Sequence, residues 1–127
     1  MRRILVGTDL SPTAERAVTW AVDMAARYDA ELILVRVVAN GTAPAAAEAE
    51  LRDYAAGIAP GARGVVATGD DPAEAIVAAI DEHRADVVVV GSVGMRGRRQ
   101  FLLGNVPNRV SHAAGCTVVI VNTAGDA

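Results

Sequence analysis

Short apolar segments rich in valine, isoleucine and leucine alternate along this chain with segments of helical periodicity. Strands are predicted over residues 3–7, 32–38, 64–68, 85–90 and 117–121. Helices are predicted from Ser11-Pro12 onward, over residues 45–56, from Asp71-Pro72 onward and over residues 107–114. Consecutive parallel strands need a crossover connection, which is usually a helix. The alternation therefore predicts an α/β fold, with a five-stranded parallel sheet covered by helices on both faces.

The helix starts carry their own signals. Ser11 and Asp71 are good N-cap residues, and each is followed by a proline in the first turn, where a missing N–H costs nothing. Apolar residues then recur at helical spacing, namely Ala14, Ala17, Val18, Ala21, Ala25 and Tyr28 in the first helix, and Ile76, Val77 and Ile80 in the third. Helix capping also explains the Asp70-Asp71 pair better than acid–base catalysis does, because Pro72 follows directly.

A loop rich in glycine and arginine follows the fourth strand. It contains Gly91, Gly94 and Gly104 together with Arg96, Arg98 and Arg99, and a predicted helix comes after it. Glycine lets backbone amides approach a ligand closely, and a helix N-terminus carries unpaired N–H groups and a partial positive charge. The order strand, basic glycine-rich loop, helix predicts a phosphate site. The alternative is that the glycines only form tight turns and the arginines only solvate an exposed loop.

The spacing Gly-x2-Gly-x9-Gly of this loop resembles that of the ATP-binding members of the universal stress protein family. The resemblance extends from the first strand, with its Gly7-Thr8-Asp9 ending, to the last strand. It implies one Rossmann-like domain over residues 1–127 with strand order 3-2-1-4-5. The first and fourth strands would then be neighbours where the strand order reverses, which is where such sheets bind ligands.

One residue departs from the family pattern. Asn105 stands where the ATP-binding members usually have serine or threonine. Asparagine caps a helix as well as serine does, and its amide can donate to a phosphate oxygen, but the compact hydroxyl is lost. The sequence leaves open whether Asn105 weakens phosphate binding or removes it.

The resemblance also implies a set of nucleotide-binding residues. The set comprises Gly7, Thr8, Asp9, Val37, Gly91, Gly94, Arg96, Arg98, Gly104, Asn105 and Val106. Adenine would lie against Gly7 and Val37, and the phosphates would meet the loop amides, the arginines and the helix N-terminus. Mg²⁺ would accompany the phosphates, and Asp9 would contact the nucleotide through the ribose or a metal-bound phosphate. On the residues alone, Asp9 can equally cap the turn after its strand, and Val37 can be a core valine.

Composition and missing motifs exclude several other classes of protein. The net charge of −3 argues against a nucleic-acid partner, and all twelve basic residues are arginine, so no lysine can serve a P-loop or a Schiff base. Neither Gly-x-Gly-x-x-Gly after the first strand nor Gly-x-Ser-x-Gly occurs. Cys116 is the single cysteine, and neither His83 nor His112 has a partner at metal-ligand spacing. No apolar segment reaches the length of a membrane span and no signal-peptide pattern opens the chain, so a cytoplasmic protein is expected.

The sequence therefore predicts an ATP-binding regulatory module of the stress-response type, with AMP or cAMP as alternative ligands. A second hypothesis is a homodimeric interaction protein of the same fold that binds no nucleotide. Either would dimerise through the edge of the last strand, Thr117–Val121, as the resemblance suggests. A third hypothesis is a slow ATP hydrolase, for which only Asp9 could act as the base.

Overall fold

The computed structural model describes residues 2–92 and 105–123. The strands are β1 (Arg3–Gly7), β2 (Glu31–Val38), β3 (Arg63–Thr68), β4 (Val87–Gly91) and β5 (Thr117–Val121). The helices are α1 (Pro12–Tyr28), α2 (Pro44–Ile58), α3 (Pro72–His83) and α4 (Asn105–Ala113). Within the described residues, no helix is long and apolar enough to cross a membrane.

All five strands form one parallel sheet in the order β3-β2-β1-β4-β5, which confirms the predicted architecture. The pairing of β1 with β4 places Leu5 opposite Val88 and Val6 opposite Val89. Strand order reverses between these two strands. Their carboxyl ends therefore leave the sheet side by side at a topological switch point.

Each face of the sheet is packed against two helices. On one face Ile4, Val6 and Leu34 lie in a cluster with Val18 of α1 and Leu51 of α2. On the other face the cluster contains Leu5, Ile33, Val35, Val88 and Val90, together with Ile76 of α3 and Val110 of α4. The central strands β1 and β4 are almost wholly buried because both of their faces are covered, as their continuous apolar sequences predict.

The predicted caps form at α1 and α3. The Ser11 hydroxyl accepts from the Ala14 amide at 3.2 Å. One carboxylate oxygen of Asp71 accepts from the Ala73 amide at 3.1 Å and the Glu74 amide at 3.4 Å. These bonds satisfy first-turn donors that have no partner inside the helix, so they fix where α1 and α3 begin.

Several predictions of detail were wrong. Strand β4 begins at Val87 rather than Ala85, because the preceding Asp86 uses its amide and carboxylate to hold the start of β1. Helix α4 begins at Asn105, two residues before the predicted start at Pro107, since a first turn accommodates proline. Tyr28 ends α1 and is 56% exposed, so it does not continue the buried face of that helix.

Candidate functional site

The carboxyl edge of the sheet brings the two predicted halves of the site together. Residues 7–9 follow β1, and Gly91 ends the neighbouring strand β4. Because every strand is parallel and is joined to the next by a helix, α1, α3 and α4 all begin at this edge. Since α1 follows β1 and α4 follows β4, the N-termini of these two helices add partial positive charge near the crevice between the strands.

Side-chain oxygens organise the loop between β1 and α1. Thr8 is buried, its amide donates to the Val35 carbonyl at 2.9 Å, and its hydroxyl accepts from the Leu10 amide at 3.0 Å. Asp9 Oδ1 accepts from the Ser11 amide at 2.9 Å. Leu10 has a φ of 70°, in the left-handed region that costs a leucine conformational energy. Thr8 and Asp9 therefore hold a strained turn, which is the local role that the sequence left open for Asp9.

Gly7 and Val37 lie on the face of the sheet that α3 and α4 cover. A Cβ atom on Gly7 would stand 3.4 Å from Ile76 Cδ1, so α3 packs closely over the end of β1. Val37 is half-buried beside Val65 and Ala67 at the end of β2. The crevice thus has an apolar, narrow side on the α3 and α4 face of the sheet.

Gly91 is required by packing as well as by the glycine motif. A Cβ atom there would stand 3.0 Å from both Cγ2 and Oγ1 of Thr123. Next to it, the Ser92 amide donates to the Val121 carbonyl at 2.8 Å, and the Ser92 hydroxyl accepts from the Thr123 amide at 3.1 Å. The residues after β5 therefore cover the end of β4, a contribution of Thr123 that no motif in the sequence indicates.

An ion pair ties α4 to the cap of α3. Both terminal nitrogens of Arg109 donate to the two carboxylate oxygens of Asp71, at 2.8 and 2.5 Å. The guanidinium is the largest cause that lowers the pKa of Asp71, and the amides of Glu74 and Ala73 lower it further. The same pair raises the pKa of Arg109. Sequence reasoning missed this contact because 38 residues separate its members.

Tyr54 of α2 is a second residue that sequence reasoning missed. Its hydroxyl is buried and has no hydrogen-bond partner among the described residues. Burial raises the pKa of Tyr54, and the negative charges of Glu15 and Asp9 raise it further. A neutral phenol therefore stands near the β1–α1 loop. In the sequence it is only one of two tyrosines.

The other predicted site residues fall partly outside the described structure. Asn105 and Val106 open α4, and Val106 is buried in the core cluster that contains Val88 and Val90. Gly94, Arg96, Arg98 and Gly104, together with Arg99, lie outside the described residues. The contacts of the basic loop therefore stay predictions. The described part of the site consists of β1, β4 and α4, which lie around that loop.

The remaining reactive side chains give no second centre. Burial raises the pKa of the Cys116 thiol, with smaller effects from its neighbours, so it is held in the unreactive thiol form. Over residues 2–92 and 105–123, no group of three His, Cys, Asp or Glu side chains could hold a metal ion. A cavity of about 520 Å³ is lined by residues of α2, of the α2–β3 connection and of the start of β3, among them Arg52, Gly61 and Gly64.

Comparison with known proteins agrees with this geometry. The profile of the universal stress protein family matches residues 1–122. The chain belongs to the universal stress protein family. Universal stress protein Rv1636 of Mycobacterium tuberculosis is 34% identical over 142 aligned positions, which cover 96% of this chain and 97% of the relative.

Two solved universal stress proteins resemble this one in structure and contain nucleotides. One, crystallised in complex with cAMP, is 34% identical with a TM-score of 0.77 and covers 97% of this chain and 98% of its own. The other, from Archaeoglobus fulgidus and in complex with dAMP, is 25% identical with a TM-score of 0.70, covering 95% and 98%. The α/β universal stress fold with its switch point is therefore shared with these proteins.

Proposed function

We propose that this universal stress protein binds an adenine nucleotide, with Mg-ATP as the leading ligand, in the crevice between β1 and β4. The adjacency of these two strands is the observation that carries the proposal. It brings residues 7–9 next to Gly91, where the family's glycine motif begins, at the point where parallel sheets of this type bind ligands.

The complexes of the two relatives support the ligand class. cAMP and dAMP differ in the sugar and in the linkage of the phosphate, but both contain adenine and one phosphate group. The described crevice suits that shared chemistry, with an apolar side at Gly7 and Val37 and the N-terminus of α4 for a phosphate. The three arginines at 96, 98 and 99 favour a more highly charged ligand, so ATP ranks before AMP and cAMP.

A carboxylate supplies the chemistry that Mg²⁺ would need. Asp9 stands directly after β1, and carboxylate oxygens are hard ligands of the kind that this ion prefers. Asp9 Oδ1 already accepts from the Ser11 amide, so its position is fixed by the turn. Magnesium brought in with the phosphates would meet an oriented carboxylate.

In this proposal nucleotide binding regulates the protein and does not serve catalysis. A nucleotide that binds the folded state stabilises it by mass action and shifts the population of any conformation that binds it better. Asp9 is the residue that could act as a general base for an attacking water, and one of its oxygens holds the turn. ATP hydrolysis is therefore expected to be slow and incidental.

Calorimetric titration of nucleotide-stripped protein with Mg-ATP tests the proposal. We expect a dissociation constant on the order of micromolar, about −8 kcal/mol. Gly94→Asp places a negative charge in the glycine motif and should abolish binding. Gly57→Asp is the matched control, because Gly57 lies on α2 with no atom within 4 Å of an added Cβ.

Absence of binding up to millimolar Mg-ATP, at two temperatures, would contradict the proposal. Asn105 would then mark a lost phosphate site, and the second candidate function, a dimeric interaction protein, would take its place. One observation supports the dimerisation that this candidate requires. Strand β5 forms an edge of the sheet, and Ile120 in this strand is 46% exposed.

A further inference from the structure

We infer that the Asp71–Arg109 ion pair is a positioning device that sets the N-terminus of α4 for phosphate binding. The inference rests on the proposed function, since it concerns the same crevice. It adds two residues that the glycine motif does not contain. Neither needs to touch the nucleotide, because both act through the placement of α4.

The two-point contact between Asp71 and Arg109 fixes the relative orientation of the two side chains. Asp71 Oδ1 accepts from the Ala73 amide, the Glu74 amide and Arg109 Nη1, and Oδ2 accepts from Arg109 Nη2. The amides of the first turn of α3 thus hold the carboxylate in place independently of its contact with the guanidinium. A two-point contact between planar groups defines an orientation as well as a distance.

Helix α4 needs such a constraint. It has only nine residues, and isolated helices of that length are marginal in water. Its buried anchors, Val106 at 5% exposure and Val110 at 0%, hold it to the core by apolar contact, which is not directional. Arg109 projects beside them and is 53% exposed, so it restrains the helix from a different side. Apolar packing keeps α4 on the sheet, and the ion pair fixes its rotation.

The direction in which Asp71→Asn changes the affinity for Mg-ATP distinguishes a positioning role from a purely electrostatic one. Asp71→Asn removes a negative charge near a proposed phosphate site, so electrostatics alone predicts tighter binding of Mg-ATP. Asparagine caps helices as well as aspartate does, so α3 keeps its N-cap. If the pair positions α4, the same substitution must instead weaken Mg-ATP binding.

The experiment measures dissociation constants of Mg-ATP and adenosine for the parent, Asp71→Asn, Arg109→Gln and the double variant. We expect Mg-ATP to bind about tenfold more weakly in each single variant, since small misplacements of binding groups are costly. The double variant should add little, because one interaction is lost in all three. Adenosine, which has no phosphate, should change less than about twofold. Arg27→Gln breaks an exposed ion pair with Asp23 within α1 and serves as the control that leaves both constants unchanged.

Unchanged or tighter Mg-ATP binding by Asp71→Asn would overturn the inference, and so would an equal loss of adenosine binding. Amide hydrogen exchange gives a readout without nucleotide. Residues 109–113 should exchange several-fold faster in Asp71→Asn and Arg109→Gln than in the parent, while α1 stays protected. Equal protection in parent and variants would also overturn it. Failure of the proposed function is a separate result, in which the parent itself shows no binding of Mg-ATP.

Discussion

Three aspartate side chains stabilise turns and chain ends in this protein by accepting hydrogen bonds from backbone amides. Asp9 holds the turn after β1, and Asp71 caps α3 and pairs with Arg109. Asp86, at the opposite edge of the sheet, accepts from the amides of Arg2 and Arg3 at 2.8 and 2.9 Å. Each carboxylate satisfies backbone donors that the helices and strands leave unpaired, so the acidic residues of the chain shape its turns.

Asp86→Asn should destabilise the fold at neutral pH and much less in acid. The backbone hydrogen bonds from Arg3 and Arg2 lower the pKa of Asp86 below its ordinary value. A lowered pKa gives stability that is fully present above the unfolded value of about 3.9 and is lost as pH falls through the folded value. Urea unfolding of parent and variant from pH 7 to pH 2.5 measures this. A difference between the two proteins that stays constant over that range would contradict the assignment.

Gly91→Ala should destabilise the protein by about 1–3 kcal/mol, the usual cost of an extra methyl group in a packed position. The new Cβ would stand 3.0 Å from two side-chain atoms of Thr123. In a Thr123→Ala background the same substitution should cost clearly less, because those two atoms are gone. Denaturant unfolding of the four proteins gives the coupling. An equal cost in both backgrounds would show that Thr123 is not the obstacle.

At the scale of elements, small residues let the helices pack closely on the sheet at several contacts. Leu51 of α2 is buried against Gly64 of β3, where an added Cβ would stand 2.9 Å from Leu51 Cγ. Alanines such as Ala17 and Ala21 do the same for α1. The core can therefore be filled by aliphatic side chains with few aromatics.

Gly64→Ala should destabilise the protein by about 1–3 kcal/mol, because Leu51 is enclosed and cannot move away without strain. Gly57→Ala is the matched control within α2, with open space around the new Cβ. That control should stabilise by about 0.5–1 kcal/mol, the gain in helix propensity. Thermal unfolding compares the two variants with the parent. Similar effects of both substitutions would contradict the packing between α2 and β3.

The elements themselves could be predicted from the sequence, because periodicity and caps are local signals. Ser11 and Asp71 marked helix starts correctly, and the valine run of β4 indicated a buried parallel strand. Strand order came from the family resemblance. The Asp71–Arg109 pair and the Thr123 cover over Gly91 join residues far apart in sequence, so no local pattern contains them. Strand β4 also ends at Gly91, one residue later than predicted, because pairing with the distant strand β5 extends it.

At the scale of the whole molecule, the sheet has two edge strands, β3 and β5, and neither pairs with a further strand among the described residues. Edge strands present unpaired backbone groups, and proteins use charge or coverage to stop them from pairing. Strand β3 begins with Arg63, whose guanidinium bonds Glu31, whereas β5 consists of Thr117–Val121 and carries no charge. The asymmetry makes β5 the edge expected to pair with a second copy.

Ile120→Lys should convert a dimer of this chain into a monomer of 13.1 kDa. The exposed Ile120 side chain would lie in or beside an interface formed by β5, and a buried, unpaired lysine there would cost more than the interface gains. Light scattering after size exclusion measures the mass. A monomeric parent at high concentration, or a variant that stays dimeric, would show that β5 is not the interface.

Mapping amide chemical shifts by NMR during a titration with Mg-ATP reports both whether the nucleotide binds and where in the fold it binds. We expect saturable shifts at Gly7, Thr8, Val37, Gly91 and Val106, the described residues that border the crevice between β1 and β4. The amide signals of Gly61 and Gly64, which line the cavity of about 520 Å³ beside α2 and β3, should not shift. Shifts confined to that cavity, or no shifts at millimolar Mg-ATP, would contradict a nucleotide site at the carboxyl edge of the sheet.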